Sequence, residues 1–141
     1  MKLKTALFTI LTLATSSTFA QEDYLPGFKQ EPIKVNNMED FLYIELLYLQ
    51  LREALAERNW YRNQYEKNTK INPYSICINI QKYQNQKAFY YANKDVIDAH
   101  NKLGKIEFDL QTNINELNEM IKQERQPLGS NTCINIAKQF E

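Results

Sequence analysis

Pro73-Tyr74-Ser75-Ile76-Cys77-Ile78-Asn79-Ile80 and Ser130-Asn131-Thr132-Cys133-Ile134-Asn135-Ile136 share the four residues Cys-Ile-Asn-Ile, fifty-six positions apart. They hold the only two cysteines of the 141-residue chain. Whether the chain between them turns back decides the fold. Phe89, Ala92, Val96, Ala99, Leu103, Ile106, Leu110, Ile114, Leu117 and Ile121 recur at three- and four-residue steps without a phase slip, a heptad-like stripe. Taken alone, it permits one helix from Pro73 to Arg125, roughly 75 Å long at about 1.5 Å per residue.

The cysteines argue against that rod. Two cysteines in an exported protein read most simply as a disulfide, which needs Cα atoms within about 7 Å. In a continuous helix Cys77 and Arg125 lie roughly 70 Å apart. The eight residues from Arg125 to Cys133 reach only about 28 Å. An intrachain Cys77–Cys133 bridge therefore requires a turn, and Gly104 is the residue suited to the left-handed backbone that closes a helix. The alternative is a continuous helix with an interchain bridge. Each cysteine sits early in a helix behind a Pro or Gly and an Asn or Ser cap, with Ile at +1 and +3 to pack around the bridge. The pair reads as two matched ends of one staple. Redox-active cysteines usually lie close together, as in Cys-x-x-Cys.

Working outward, a first helix is expected from about Met38 to Asn68, capped by Asn36 or Asn37 and opened by Glu39 and Asp40. The second should start with Pro73 at its first position and reach about Lys102. A third should run from Lys105 to Arg125, with no strong N-cap after Gly104. Pro127 and Gly129 end it, and Ser130 or Asn131 caps a short last helix from Thr132 to Phe140. Residues 21–36 hold two of the four prolines and one of the three glycines. They read as an extended lead-in whose Tyr24, Leu25, Phe28, Ile33 and Val35 pack onto the body. The expected fold is all-α: a small bundle of three long antiparallel helices plus a short C-terminal helix, stapled by one disulfide, over residues 37–141.

Residues 1–20, MKLKTALFTILTLATSSTFA, have a basic start, a short apolar run and a small-residue end at Thr18-Phe19-Ala20, the layout of a secretory signal peptide. The apolar run is about half the roughly 20 residues of a membrane span. The expected localisation is export, to the periplasm, with no stable membrane insertion after cleavage. The whole chain carries 17 basic and 17 acidic residues. That balance gives no electrostatic reason to seek nucleic acid or anionic lipid.

Catalytic signals are missing. His100 is the single histidine, and Asp95, Asp98 and His100 point in different directions on a helix. A Glu-x-x-His signature would need Glu where Ile97 stands. Zinc spacing, Gly-rich phosphate loops and Gly-x-Ser-x-Gly are absent. Glu116 and Glu119 read as a solvated face. The chain is expected not to be an enzyme and to carry no cofactor or metal.

The unusual stretch is Phe41-Leu42-Tyr43-Ile44-Glu45-Leu46-Leu47-Tyr48-Leu49-Gln50-Leu51, apolar nearly all round. It is either the centre of the core or a helix with one face left for a partner. Trp60, Tyr61 and Tyr65 follow, interleaved with Arg58 and Arg62, residue types that dominate interface energetics. A second aromatic cluster is Phe89-Tyr90-Tyr91 with Tyr83. The candidate partner-binding residues are Tyr43, Leu47, Arg58, Tyr61 and Arg62. The expected activity is non-catalytic binding of another protein, as an immunity-type inhibitor or as an accessory subunit or chaperone of an envelope or secretion machine. The competing reading is a small ligand carrier or enzyme with a cavity in the bundle.

Overall fold

The structure, a computed structural model, describes residues 23–66, 70–104 and 107–141. The expected leader, residues 1–20, lies outside the described residues. The first helix ends at Tyr65 rather than Asn68, with Glu66 in a non-helical conformation at its C-cap. Among the described residues the chain is helical, without strands. Its elements are α1 (Met38–Tyr65), α2 (Pro73–Ala92), α3 (Lys94–Asn101), α4 (Leu110–Arg125), a 3-10 turn (Gln126–Leu128) and α5 (Cys133–Ala137).

Local chemistry sets the helix starts. Asn37 accepts the backbone N–H of Asp40 at 2.8 Å, with Glu39 and Asp40 in the first turn of α1, where carboxylates oppose the positive end of the helix dipole. Asn72 accepts from Tyr74 N–H at 2.9 Å, and Pro73 opens α2 without losing a needed donor. Asp109 accepts from Thr112 N–H at 2.9 Å and from its hydroxyl at 2.7 Å.

α2 runs antiparallel to α1 and to α4. Glu45 of α1 meets Gln86 and Tyr90 of α2. Lys87 meets Asn118 of α4, while Asn79 meets Glu124. α1 and α4 run parallel, with Arg52 paired to Glu116 and Asn59 bonded to Glu124. The core has two parts. One is aromatic: Phe41 stacks on Phe89 with centroids 4.9 Å apart, and Tyr90 and Phe108 flank the pair. The other surrounds the staple, with Leu25, Ile76, Ile80, Leu128 and Ile136 packed about the sulfurs. Cys77 and Cys133 form the disulfide, their Cα atoms 5.4 Å apart.

The all-α fold and its staple are as expected, and several element boundaries are not. The second helix ends at Ala92 rather than Lys102, because the Asn93 side chain bonds its own helix and the lead-in, and α3 continues beyond it. Gly104 does take the left-handed conformation, with φ +65°. The next helix starts at Leu110 rather than Lys105, because Asp109 supplies a cap that the sequence reading passed over. The stripe is broken accordingly: Leu103 is exposed. The last helix ends at Ala137 rather than Phe140, and its cap is Thr132 rather than Ser130 or Asn131.

The central helix is α2. Ten of its 20 residues are buried, against three of 28 in α1. α2 has α1, α4, α5 and the lead-in around it. The extended lead-in brings backbone groups that need partners. The α2 amides supply them: Gln81 accepts from Leu25 N–H at 2.9 Å, Asn85 donates to the Phe28 carbonyl at 2.9 Å, and Gln84 donates to the Asp23 carbonyl at 2.9 Å. Leu25 and Val35 are buried as expected, whereas Tyr24, Phe28 and Ile33 remain exposed.

Candidate functional site

α1 has two apolar faces. The inner one carries Phe41, Glu45 and Leu55, all buried, with Tyr48 against Phe89 at a centroid distance of 5.5 Å. Glu45 is the polar exception on that face. Its carboxylate accepts from the Tyr90 hydroxyl at 2.6 Å and from the Gln86 amide at 3.4 Å, while the same amide donates to the Tyr90 oxygen at 2.8 Å. Burial raises the Glu45 pKa above the ordinary carboxylate value, outweighing these hydrogen bonds and the nearby Arg52. Burial and the neighbouring carboxylate raise that of Tyr90 as well.

The outer face is solvent-exposed and still apolar. Near the start of α1, Leu42, Tyr43, Leu46 and Leu47 are about half exposed or more, and Leu49 is exposed beside them. Near its end, Trp60, Tyr61 and Tyr65 are 59 %, 56 % and 69 % exposed. Tyr65 lies against Tyr61, centroids 4.8 Å apart, with Trp60 at its edge. Between the two patches the outward positions are Gln50, Glu53, Ala54, Glu57 and Arg58. The lead-in leaves this face open. Its Leu25 belongs to the cluster around the disulfide, and its Phe28 ring sits 6.3 Å from Tyr74. Scattered surface leucines are ordinary, but a large contiguous apolar patch on a folded domain usually marks an interaction site.

The candidate residues divide between two places. Tyr43, Leu47, Arg58 and Tyr61 stand on the outer face of α1. Arg62 turns inward and is half-buried, donating to Asn59 Oδ1 at 3.1 Å. It borders a cleft of about 380 Å³ between α1, α2 and α4, lined by Asn59, Ile76, Tyr83, Met120 and Glu124. Arg62 Nε is buried there with no hydrogen-bond partner among the described residues. Glu124 accepts from Asn59 at 2.6 Å and from Asn79 at 3.5 Å.

Sequence reasoning missed Leu42, Leu46, Trp60 and Tyr65 as members of the outer face. For Tyr65 the signal was available, since it falls within about 40° of Tyr43 and Leu47 on a helix; Leu42 and Trp60 lie about 100° or more around from both. It also missed the Glu45–Gln86–Tyr90 cluster, which pairs residues from two helices. Among the described residues, no three His, Cys, Asp or Glu side chains gather as metal ligands, and no helix is long and apolar enough to cross a membrane. No protein-family model, no curated protein and no solved structure matches the chain.

Proposed function

We propose that this chain is an exported, non-catalytic protein-binding module whose partner docks on the outer face of α1. One observation carries the reading. Eight large apolar side chains are exposed on a single helix, Leu42, Tyr43, Leu46, Leu47, Leu49, Trp60, Tyr61 and Tyr65, on a body whose cores are already filled. Rigid tyrosines and a tryptophan supply large contact area at low entropic cost. The disulfide is compatible with an oxidising compartment. The two concrete forms of the function are an inhibitor that neutralises a toxin or lytic enzyme and an accessory subunit or chaperone of an envelope machine.

A photo-crosslinking amino acid placed at Tyr43 or Tyr61 tests the reading in cells that produce the protein, with Glu119 of α4 as the control position. Adducts with a protein from the α1 positions and none from Glu119 are the expected result. Adducts with no protein from either α1 position overturn it. The reading of a small-ligand carrier draws on the cleft beside Arg62. Native mass spectrometry of the purified protein separates the two, since a carrier retains a bound small molecule and a docking module does not.

A further inference from the structure

The outward strip of α1 can be laid out in equal steps on either side of Ala54, with tyrosine at both ends. Steps of four, seven and eleven residues from one position return to the same helix face. Taken from Ala54 in both directions, they reach Gln50 and Arg58, Leu47 and Tyr61, and Tyr43 and Tyr65. All seven residues are exposed. The outermost pair is tyrosine with tyrosine, the next is leucine with tyrosine, and the innermost is an amide with a guanidinium. The smallest side chain stands at the centre.

A two-fold interface joins a patch to itself, so residue i meets j and j meets i. We infer that the partner seated on this face is a second copy of this chain, its α1 packed antiparallel across a two-fold axis at Ala54. The inference rests on the reading of α1 as a docking face and names the occupant. Ala54 faces Ala54 at the crossing, where a small side chain lets two helices approach to the usual 8–10 Å. Tyr43 of each copy covers Tyr65 of the other, and Leu47 covers Tyr61. Of the seven residues Arg58 is the one charged, with Glu53 and Glu57 exposed along one edge of the strip; its mirror is the neutral Gln50, whose side-chain oxygen accepts from it. Parallel pairing would instead set Arg58 against Arg58. The contact strip runs from Tyr43 to Tyr65, 22 residue steps, about 33 Å at ~1.5 Å per step.

The exposed area is of the size a stable pair needs. Tyr43, Tyr61 and Tyr65 are each more than half exposed. From about 150–250 Å² per aromatic side chain they contribute roughly 400 Å². Leu46, Leu47 and the polar residues between the patches bring each copy close to the ~800 Å² that one partner gives to a standard interface.

The test uses residues 21–141 with the native disulfide closed. Sedimentation equilibrium should give a non-covalent dimer that dissociates on dilution. Tyr61→Asp should shift it to monomer, with a melting temperature that no longer depends on concentration and matches that of the dilute wild type. Under mild oxidation Ala54→Cys should cross-link to itself. Gln50→Cys and Arg58→Cys should cross-link when mixed and not when oxidised separately. A monomer at every concentration up to about 0.5 mM overturns the inference. So does a dimer that survives Tyr61→Asp, or cross-linking of Gln50→Cys to itself. Failure here leaves the protein-binding reading standing if photo-adducts from Tyr43 or Tyr61 contain a different protein. Absence of any adduct sinks both.

Discussion

The side-chain oxygen of Asn93 accepts the backbone N–H of Val35 at 2.8 Å. The same amide donates to the Ile33 carbonyl at 2.7 Å and to the Phe89 carbonyl at 2.9 Å. One fully buried side chain thus interrupts the helical register after α2 and holds the lead-in against it. Removing it strands the buried Val35 N–H and takes the side-chain donor from the Ile33 carbonyl, while the Phe89 carbonyl keeps the Asn93 backbone N–H; an unmet buried group costs more than the hydrogen bond contributes when made.

Asn93→Ala should therefore lower the unfolding free energy by about 2–4 kcal/mol. Urea denaturation gives the value, and hydrogen exchange at Val35 shows whether the lead-in is released locally. A loss below about 0.5 kcal/mol, with Val35 still protected, would mean that packing alone seats the lead-in.

The staple closes a loop of 56 residues. In the chain-entropy account that is worth roughly 4 kcal/mol. The effect should be concentrated in α5, since a five-residue helix does not hold by itself. In Cys77→Ser/Cys133→Ser, the amides of Asn135 and Ile136 should lose protection before those of α2. The unmodified protein should weigh two hydrogens less than its reduced form and run as a monomer on a non-reducing denaturing gel. A disulfide-linked dimer there would return the chain to the long continuous helix.

Glu45 gives stability an unusual pH dependence. Its folded pKa is raised above the ordinary 4.5, first by burial. Between those two values the folded state binds more protons than the unfolded state, so stability rises as pH falls through the window. Tyr48 and Arg52 of α1, with Gln86 and Tyr90 of α2, face the carboxylate. Asp95 and Asp109 shift the other way, to lower pKa, and lose their contribution only in stronger acid. Melting temperature should climb as pH is lowered from neutral toward the ordinary 4.5, and Glu45→Gln should flatten the slope. A wild-type slope of the opposite sign, unaffected by the substitution, would rule Glu45 out as its source.

The staple was legible because its constraint is metric: a helix of known rise and a linker of known reach leave one intrachain solution. Pro73 and Gly104 were legible because proline fixes its φ and glycine alone enters the left-handed region without strain. Asn93 was not. A polar residue inside a helical pattern gives no sign that its amide will meet an extended segment sixty residues earlier. The same holds for Gln81 and Asn85, whose amides line the lead-in. The two faces of α1 were half legible. A helix apolar all round predicts burial, and the sequence held no measure of how many neighbours would be present. Among the described residues α1 has neighbours on one side only.

The last relationship ties the two ends of the described chain together. Asp23 Oδ1 accepts the backbone N–H of Cys133 at 2.7 Å and that of Ile134 at 3.3 Å, while its other oxygen pairs with Arg125. Thr132 takes the next donor, Asn135 N–H, at 3.2 Å. The first N–H groups of a helix have no partner within it, and here a carboxylate 110 residues away serves two of them. Charge-assisted bonds of this kind are the stronger class. Asp23→Ala should cost about 1.5–3 kcal/mol, and Asp23→Asn, which keeps an acceptor but loses the charge opposite Arg125, should fall between it and the wild type. A chain that begins at Tyr24 should match Asp23→Ala. Because Asp23 and the disulfide hold the same helix, their effects should be less than additive when combined with Cys77→Ser/Cys133→Ser. Urea unfolding of the four proteins of that cycle measures the coupling. Strict additivity would show that Asp23 acts on Arg125 and α4 alone, and that Thr132 and the sulfur bridge hold α5 without it.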